Sequence, residues 1–143
     1  MRRRMLLALK IAELGLLAAP SCAAPATILD RPDVRAAIAT MRKESFGTRE
    51  LRIEYVLIVR TPNSPYPLDW IAGSREDATF PWDNQIIAII HTHLDKGFEK
   101  PSATDITEAK AHHTPIYVVS ASAIWVATAI GETACISCPT VRQ

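Results

Sequence analysis

The run QIIAIIH at residues 85–91 restricts the fold more than any other part of the sequence. Its apolar residues are consecutive rather than alternating, a pattern typical of a strand that is buried on both faces of a sheet. Such a strand needs a covering layer on each side. The chain has 143 residues, enough for one domain with a core of this kind and too few for two ordinary domains.

Two segments are predicted to form the covering helices. In DRPD (30–33), Asp30 can cap a helix and the proline favours its first turn, and apolar residues then recur at helical spacing until Gly47. The segment that follows the loop after the buried run has a second helical pattern. We therefore predict helices over residues 32–46 and 102–113.

Four further strands are predicted around the buried run. They are rich in β-branched and aromatic residues, and turn-forming segments such as TPNSPYP (61–67) separate them. They cover residues 51–60, 68–73, 115–120 and 123–130. The order helix, hairpin, buried strand, helix, hairpin predicts an α/β sandwich with a mixed β-sheet flanked by helices.

The N-terminus has the features of a secretory signal peptide. A triplet of arginines precedes an apolar run, and the small residues of PSCAAPA (20–26) follow it. We therefore expect residues 1–24 to be removed, leaving a periplasmic or secreted domain over residues 28–143. The apolar run is too short for a permanent membrane span, which needs ~20 residues. Two alternatives are a lipoprotein anchored through Cys22 and a cytosolic protein that keeps its N-terminal helix.

Charge and cysteine content narrow the partners and the compartment. Removal of residues 1–24 takes away four positive charges and one negative charge, so the formal net charge falls from +1 to −2. This balance gives no attraction for nucleic acid, and we expect none as a partner. The two cysteines that remain, Cys135 and Cys138, are spaced C-x-x-C, and in an oxidising compartment we expect them to form a disulfide.

The segment HTHLDKGFEKPSATD (91–105) contains a candidate metal site. His91 and His93 are two residues apart where the buried strand ends, so strand alternation directs both imidazoles to one face. Asp105 lies in the first turn of the next helix, and the loop with Gly97 can return its carboxylate to the strand end. Two imidazoles and one carboxylate leave one tetrahedral position open, as in catalytic zinc sites.

Ser102 and Asp105 also have a purely structural explanation. SATD (102–105) is a capping box, in which the serine side chain caps the helix and the side chain of the aspartate, at the third helical position, bonds back to the serine backbone. The alternative is therefore a polar loop and a capped helix that bind no metal. The combination of H-x-H at the end of a buried strand with S-x-x-D at a helix start favours the metal site.

The pattern His91-x-His93 followed by Pro101-Ser102-x-x-Asp105 resembles the zinc signature of the JAB/MPN (JAMM) metalloproteases. The continuation to residue 127 resembles bacterial JAB-type domains, and the resemblance spans residues 48–128. It implies a JAB/MPN (cytidine deaminase-like) sandwich in which the two histidines and the aspartate bind Zn²⁺. It also implies hydrolysis of a peptide or isopeptide bond in a peptide or protein substrate.

The resemblance assigns two further residues to catalysis. In that family a glutamate on an earlier strand acts as general base toward the attacking water, a role that falls to Glu54, with Glu50 as the alternative. Ser102 is expected to donate a hydrogen bond to the developing oxyanion. General chemistry agrees, because zinc lowers the pKa of a bound water to ~7 and a nearby carboxylate can carry its proton to the leaving amine.

Three positions depart from the family pattern. The loop between His93 and Ser102 is one residue longer, Leu94 occupies a position where proline is common, and Leu57 stands where glycine is common. We expect the fold to accommodate the extra loop residue at little cost. We expect the Leu57 side chain to narrow the approach of a peptide to the metal. The alternative function is therefore a catalytically inactive metal-binding or protein-interaction domain on the same fold.

Overall fold

A six-stranded mixed sheet with a helix on each face forms the centre of the protein. The computed structural model describes residues 27–47, 53–73, 81–94 and 99–139, and the predicted signal peptide lies outside these ranges. The elements in chain order are a 3₁₀ turn (Ile28–Asp30), α1 (Pro32–Phe46), β1 (Glu54–Arg60), β2 (Leu68–Gly73), β3 (Ile86–Thr92), α2 (Ala103–Ala111), β4 (Ile116–Val119), β5 (Ile124–Ala127) and β6 (Thr133–Ser137).

The strand order in the sheet is β2-β1-β3-β4-β5-β6. β3 and β4 are parallel and are connected through α2, whereas every other neighbouring pair is antiparallel. The predicted α/β architecture with a mixed sheet is therefore confirmed. The central position of β3 agrees with its uninterrupted apolar sequence.

Each face of the sheet packs against one helix. On one face the buried stripe of α1, which includes Val34, Ile38 and Met41, contacts alternate residues of the strands such as Leu57 and Ile90. On the other face α2 contributes Ala109 and Ile106 against a second set that consists of Val56, Ile58, Ile86, Ile89, Ile116 and Ala127. The prediction that residues 85–91 form a strand covered on both sides is confirmed.

The start of α1 differs from the prediction in its cap. Asp30 does not cap this helix, because its carboxylate accepts the Thr27 amide at 2.7 Å and the Thr27 hydroxyl at 3.1 Å within the preceding 3₁₀ turn. Arg31 occupies the N-cap position, but its side chain makes no capping hydrogen bond to the helix, and Pro32 is the first helical residue. The acidic side chain that contacts the start of α1 is that of Asp33, whose carboxylate accepts a hydrogen bond from the Val34 amide at 2.9 Å.

The C-terminal part of the sheet contains a strand that the sequence analysis missed. The predicted strand over 123–130 ends at Ala127, and a turn with Gly131 at φ 86° leads into β6. β6 lies at the sheet edge and is largely exposed on both faces, so its sequence lacks the apolar periodicity that identified the other strands. The expected disulfide between Cys135 and Cys138 is present and joins β6 to the residue that follows it.

Within the described ranges, no helix has both the length and the hydrophobicity that a membrane span needs.

Candidate metal centre

His91 and His93 lie where β3 leaves the middle of the sheet. His91 is paired with Val56 of β1 on one side and with Val118 of β4 on the other. The two imidazole centroids are 4.8 Å apart, and their planes are inclined by 74°. The side chains are 18% and 19% exposed, so both are sheltered from bulk water but remain reachable. The prediction that strand alternation brings both rings to one place is confirmed.

Asp105 is held in position by the capping box of α2. Its Oδ2 accepts hydrogen bonds from the Ser102 amide at 2.7 Å and from the Ser102 hydroxyl at 2.8 Å. In return, the Asp105 amide donates to the Ser102 hydroxyl oxygen at 3.1 Å. The predicted capping box is therefore present, and it engages Oδ2 while Oδ1 lies beside His91.

The three predicted ligands converge. His91 Nε2 lies 2.9 Å from Asp105 Oδ1, His93 Nε2 lies 3.8 Å from Asp105 Oδ2, and one ligand atom from each residue lies within 4.8 Å of the others. Metal bonds of ~2.0–2.1 Å in a tetrahedral site place ligand atoms about 3.3 Å apart. The observed separations lie on both sides of this value, so small side-chain rotations suffice for these residues to hold a metal ion.

The nitrogen of His91 that faces Asp105 is buried and has no hydrogen-bond partner among the described residues. The carboxylate oxygen is only 2.9 Å away, which makes the contact an ion pair when His91 is protonated, but its geometry does not meet that of a hydrogen bond. A buried polar atom without a partner costs about 1–3 kcal/mol. Coordination of a cation by the nitrogen lone pair would remove this cost.

The electrostatics of the centre favour an ionised Asp105. Burial by itself raises the pKa of this carboxyl, but the adjacent His91 imidazole and the hydrogen bonds from Ser102 outweigh burial and hold the pKa at about 2. The carboxylate is therefore charged at neutral pH. A metal ion can bind it without displacing a proton.

The strand register places Glu54 on the same face as the two histidines. Val56 is directly opposite His91, and residues two apart on a strand point to the same face. The pairing of β1 with β3 ends at Val56, and Glu54 lies two residues beyond this end, on the face that Val56 shares with His91. The alternative base, Glu50, lies outside the described residues.

Leu57 does not narrow the approach to this centre, so that expectation is wrong. Its side chain is fully buried in the α1-side core and pairs with Ile90. Adjacent residues of a strand point to opposite faces, and Leu57 follows Val56, which shares the histidine face. The side chain therefore lies on the far side of the sheet from His91.

Ser102 serves the helix cap in this structure. Its hydroxyl has one proton, and that proton is donated to Asp105 Oδ2. A hydrogen bond to an oxyanion requires the hydroxyl to rotate away from Asp105. The oxyanion role of Ser102 therefore stays a prediction.

Two buried hydroxyls beside the centre received no role in the sequence analysis. Thr92 lies between the two histidines and is 2% exposed, and Ser45, in the last turn of α1, is 1% exposed. Ser45 follows Met41 and Ile38 at helical spacing, so the available signal was a polar residue within an otherwise apolar stripe.

The fold and the centre together define a mixed α/β sandwich with a candidate metal site of two histidines and one aspartate. Comparisons with protein-family models, with curated proteins and with solved structures found no match to this chain.

Proposed function

We propose that the chain is a zinc-dependent metallopeptidase or isopeptidase of JAB/MPN type. The observation that supports this most directly is the convergence of His91, His93 and Asp105, in which a buried His91 nitrogen lies 2.9 Å from the Asp105 carboxylate and has no hydrogen-bond partner among the described residues. The mixed sheet with one helix on each face is compatible with the JAB/MPN (cytidine deaminase-like) fold, which is part of the proposal.

Zinc is the metal that the donor set fits best. Two imidazole nitrogens and one carboxylate oxygen are ligands that Zn²⁺ accepts in tetrahedral geometry, whereas Mg²⁺ and Ca²⁺ prefer oxygen ligands alone. Three protein ligands leave the fourth position for solvent or substrate. Catalytic zinc sites differ from structural sites in this open position.

The proposed mechanism hydrolyses a peptide or isopeptide bond in a peptide or protein substrate. Zinc, when bound, supplies a Lewis acid that polarises the scissile carbonyl and increases the acidity of the attacking water. Glu54, on the histidine face of the sheet, accepts a proton from this water and delivers it to the leaving amine nitrogen. Ser102, once its hydroxyl turns from Asp105, donates a hydrogen bond to the developing oxyanion.

The proposal includes export to the periplasm or the exterior. The arginine triplet, the apolar run and the small residues before position 27 support it. The substrate is then a peptide or protein that the domain meets after export.

The experiment combines zinc analysis with hydrolysis of a pool of internally quenched peptides by the wild type, Glu54→Gln and Glu50→Gln. We expect all three proteins to bind one zinc ion and only Glu54→Gln to lose hydrolysis, by about 100-fold or more, because it lacks the proton acceptor. Loss in Glu50→Gln alone would transfer the role of base to that residue. Zinc binding without hydrolysis by the wild type would favour the inactive metal-binding alternative.

A further inference from the structure

A chain of buried hydrogen bonds connects α1, β1 and β3 behind the candidate metal centre. The Tyr55 amide donates to Thr92 Oγ1 at 3.0 Å, Thr92 Oγ1 and Ser45 Oγ are 3.3 Å apart, and Ser45 Oγ donates to the Ile53 carbonyl at 2.6 Å. Each hydroxyl has one proton, and Ser45 donates its proton to the Ile53 carbonyl. The hydrogen bond between the two hydroxyls is therefore donated by Thr92 and accepted by the Ser45 oxygen. Both hydroxyls then have one donor and one acceptor partner.

The two ends of this chain lie on either side of Glu54. One end is the carbonyl of Ile53, the residue before Glu54, and the other is the amide of Tyr55, the residue after it. The paired residues of β1 and β3 begin at Val56 and His91, so the Glu54 end of β1 is attached to β3 through the Thr92 hydroxyl. The glutamate is thus fixed from both sides by side chains on the opposite face of the sheet.

The last turn of α1 adds a third attachment at the same point. The Glu44 carboxylate accepts a hydrogen bond from the Tyr55 hydroxyl and raises the pKa of that phenol. Glu44 and Ser45 are consecutive residues of α1, and they hold the backbone and the side chain of the segment that contains Glu54. Thr92 connects this segment to the histidines, because it is the residue between them.

We propose that Thr92 and Ser45 are positioning residues that fix the Glu54 carboxylate relative to His91 and His93. This inference rests on the proposed function for the role of Glu54, whereas the hydrogen-bond chain itself is independent of it. Hydroxyls suit this task because the residues of the core cluster on this face of the sheet are apolar, and a hydrogen bond is stronger in such surroundings than in water. A displacement of about 1 Å at a reacting group can cost 100-fold in rate, so a small shift of β1 is sufficient to matter.

The first experiment measures the hydrogen-bond chain in the metal-free protein by amide hydrogen exchange. We compare the wild type with Thr92→Val, which keeps the shape and removes the hydroxyl, and with Thr92→Ser, which restores it. We expect Tyr55 exchange to become at least about 10-fold faster in Thr92→Val, with Ile58 in mid-strand unchanged and recovery in Thr92→Ser. An unchanged Tyr55 amide in Thr92→Val would overturn the inference.

The second experiment is a double-mutant cycle between Thr92→Val and Glu54→Gln on the zinc-loaded protein. Its readouts are kcat and KM on the quenched-peptide pool and the affinity for acetohydroxamate, a small zinc-directed probe. We expect Thr92→Val to lower kcat by about 10-fold or more at unchanged KM and zinc content, and to have no further effect once Glu54 is replaced. Ser45→Ala should behave in the same way, and Thr92→Ser should recover most of the activity.

The matched control is Thr114→Val, which removes another buried hydroxyl, one that donates to the His112 carbonyl at 3.0 Å. This variant should keep kcat and acetohydroxamate affinity. If Thr92→Val lowers kcat by the same factor in the wild type and in Glu54→Gln, the positioning role is overturned. If the wild type hydrolyses no peptide, the proposed function fails, and the acetohydroxamate cycle with the exchange data still decides the inference.

Discussion

Zinc should stabilise this domain by an amount that depends on three side chains. The measurement is thermal unfolding of residues 28–143 after chelation and after zinc addition to a free concentration 100-fold above the measured Kd. The ligand that binds only the folded state then contributes about 2.7 kcal/mol. Any cost of rearranging the ligands, whose closest atoms are 2.9 Å and 3.8 Å apart, is already contained in the measured Kd.

The expected change in Tm follows from the length of the domain. The 116 residues from 28 to 143 have an unfolding entropy of about 0.24 kcal/mol/K, taken at about 2.1 cal/mol/K per residue. A stabilisation of about 2.7 kcal/mol therefore raises Tm by about 11 °C. His91→Ala, His93→Ala and Asp105→Ala should each remove most of this increase.

His112→Ala is the control for this measurement. His112 stacks on Trp82 with ring centroids 3.9 Å apart and lies outside the group of converging ligands. Its replacement should leave the zinc-dependent increase in Tm unchanged. The reasoning is refuted if His91→Ala and Asp105→Ala retain the full increase, because the metal would then bind elsewhere.

Three further predictions concern stability. Met41→Ala, at a fully buried position of α1, should lower the free energy of unfolding by about 2–5 kcal/mol in urea titrations; a loss below 1 kcal/mol would contradict the packing described above. In metal-free protein, the lowered pKa of Asp105 should contribute about 2 kcal/mol that is fully present above its ordinary value of 3.8 and is lost as the pH falls toward about 2. Unfolding of wild type and Asp105→Asn at pH 5 and pH 2.5 checks this, and parallel losses in both proteins would exclude Asp105 as the source. Replacing Cys135 and Cys138 together by serine should cost at most about 2 kcal/mol, since the closed loop is short; calorimetry that shows a larger loss would mean that the bond does more than restrict the unfolded chain.

The sequence predicted the features that depend on strong local patterns. The apolar run at 85–91 identified the central strand, and the H-x-H and S-x-x-D spacings identified three side chains that the fold brings together. β6 was missed because an exposed edge strand carries no burial pattern. Its pairing with β5 is determined by tertiary structure rather than by its own residues.

The hydrogen-bond chain through Thr92 could not be predicted from the sequence. It joins residues that are 47 positions apart in the chain, and their meeting depends on how α1 packs against the sheet. The same applies to Leu57. That its side chain points away from the metal centre follows only from the register between β1 and β3. Local spacing thus identified the candidate metal ligands, whereas the surroundings of Glu54 required the three-dimensional register.

Natural selection for a stable helix start would preserve Ser102 and Asp105 even in a descendant that had abandoned metal binding, because Oδ2 of Asp105 is engaged by the cap. The imidazole of His91 gives the helix no such benefit, and its buried nitrogen, which has no hydrogen-bond partner among the described residues, would reduce stability without a cation. Loss of function during evolution should therefore erase the histidine first. A homologous sequence that keeps only S-x-x-D is best regarded as a capped helix, and one that keeps H-x-H together with S-x-x-D as a candidate metalloprotein.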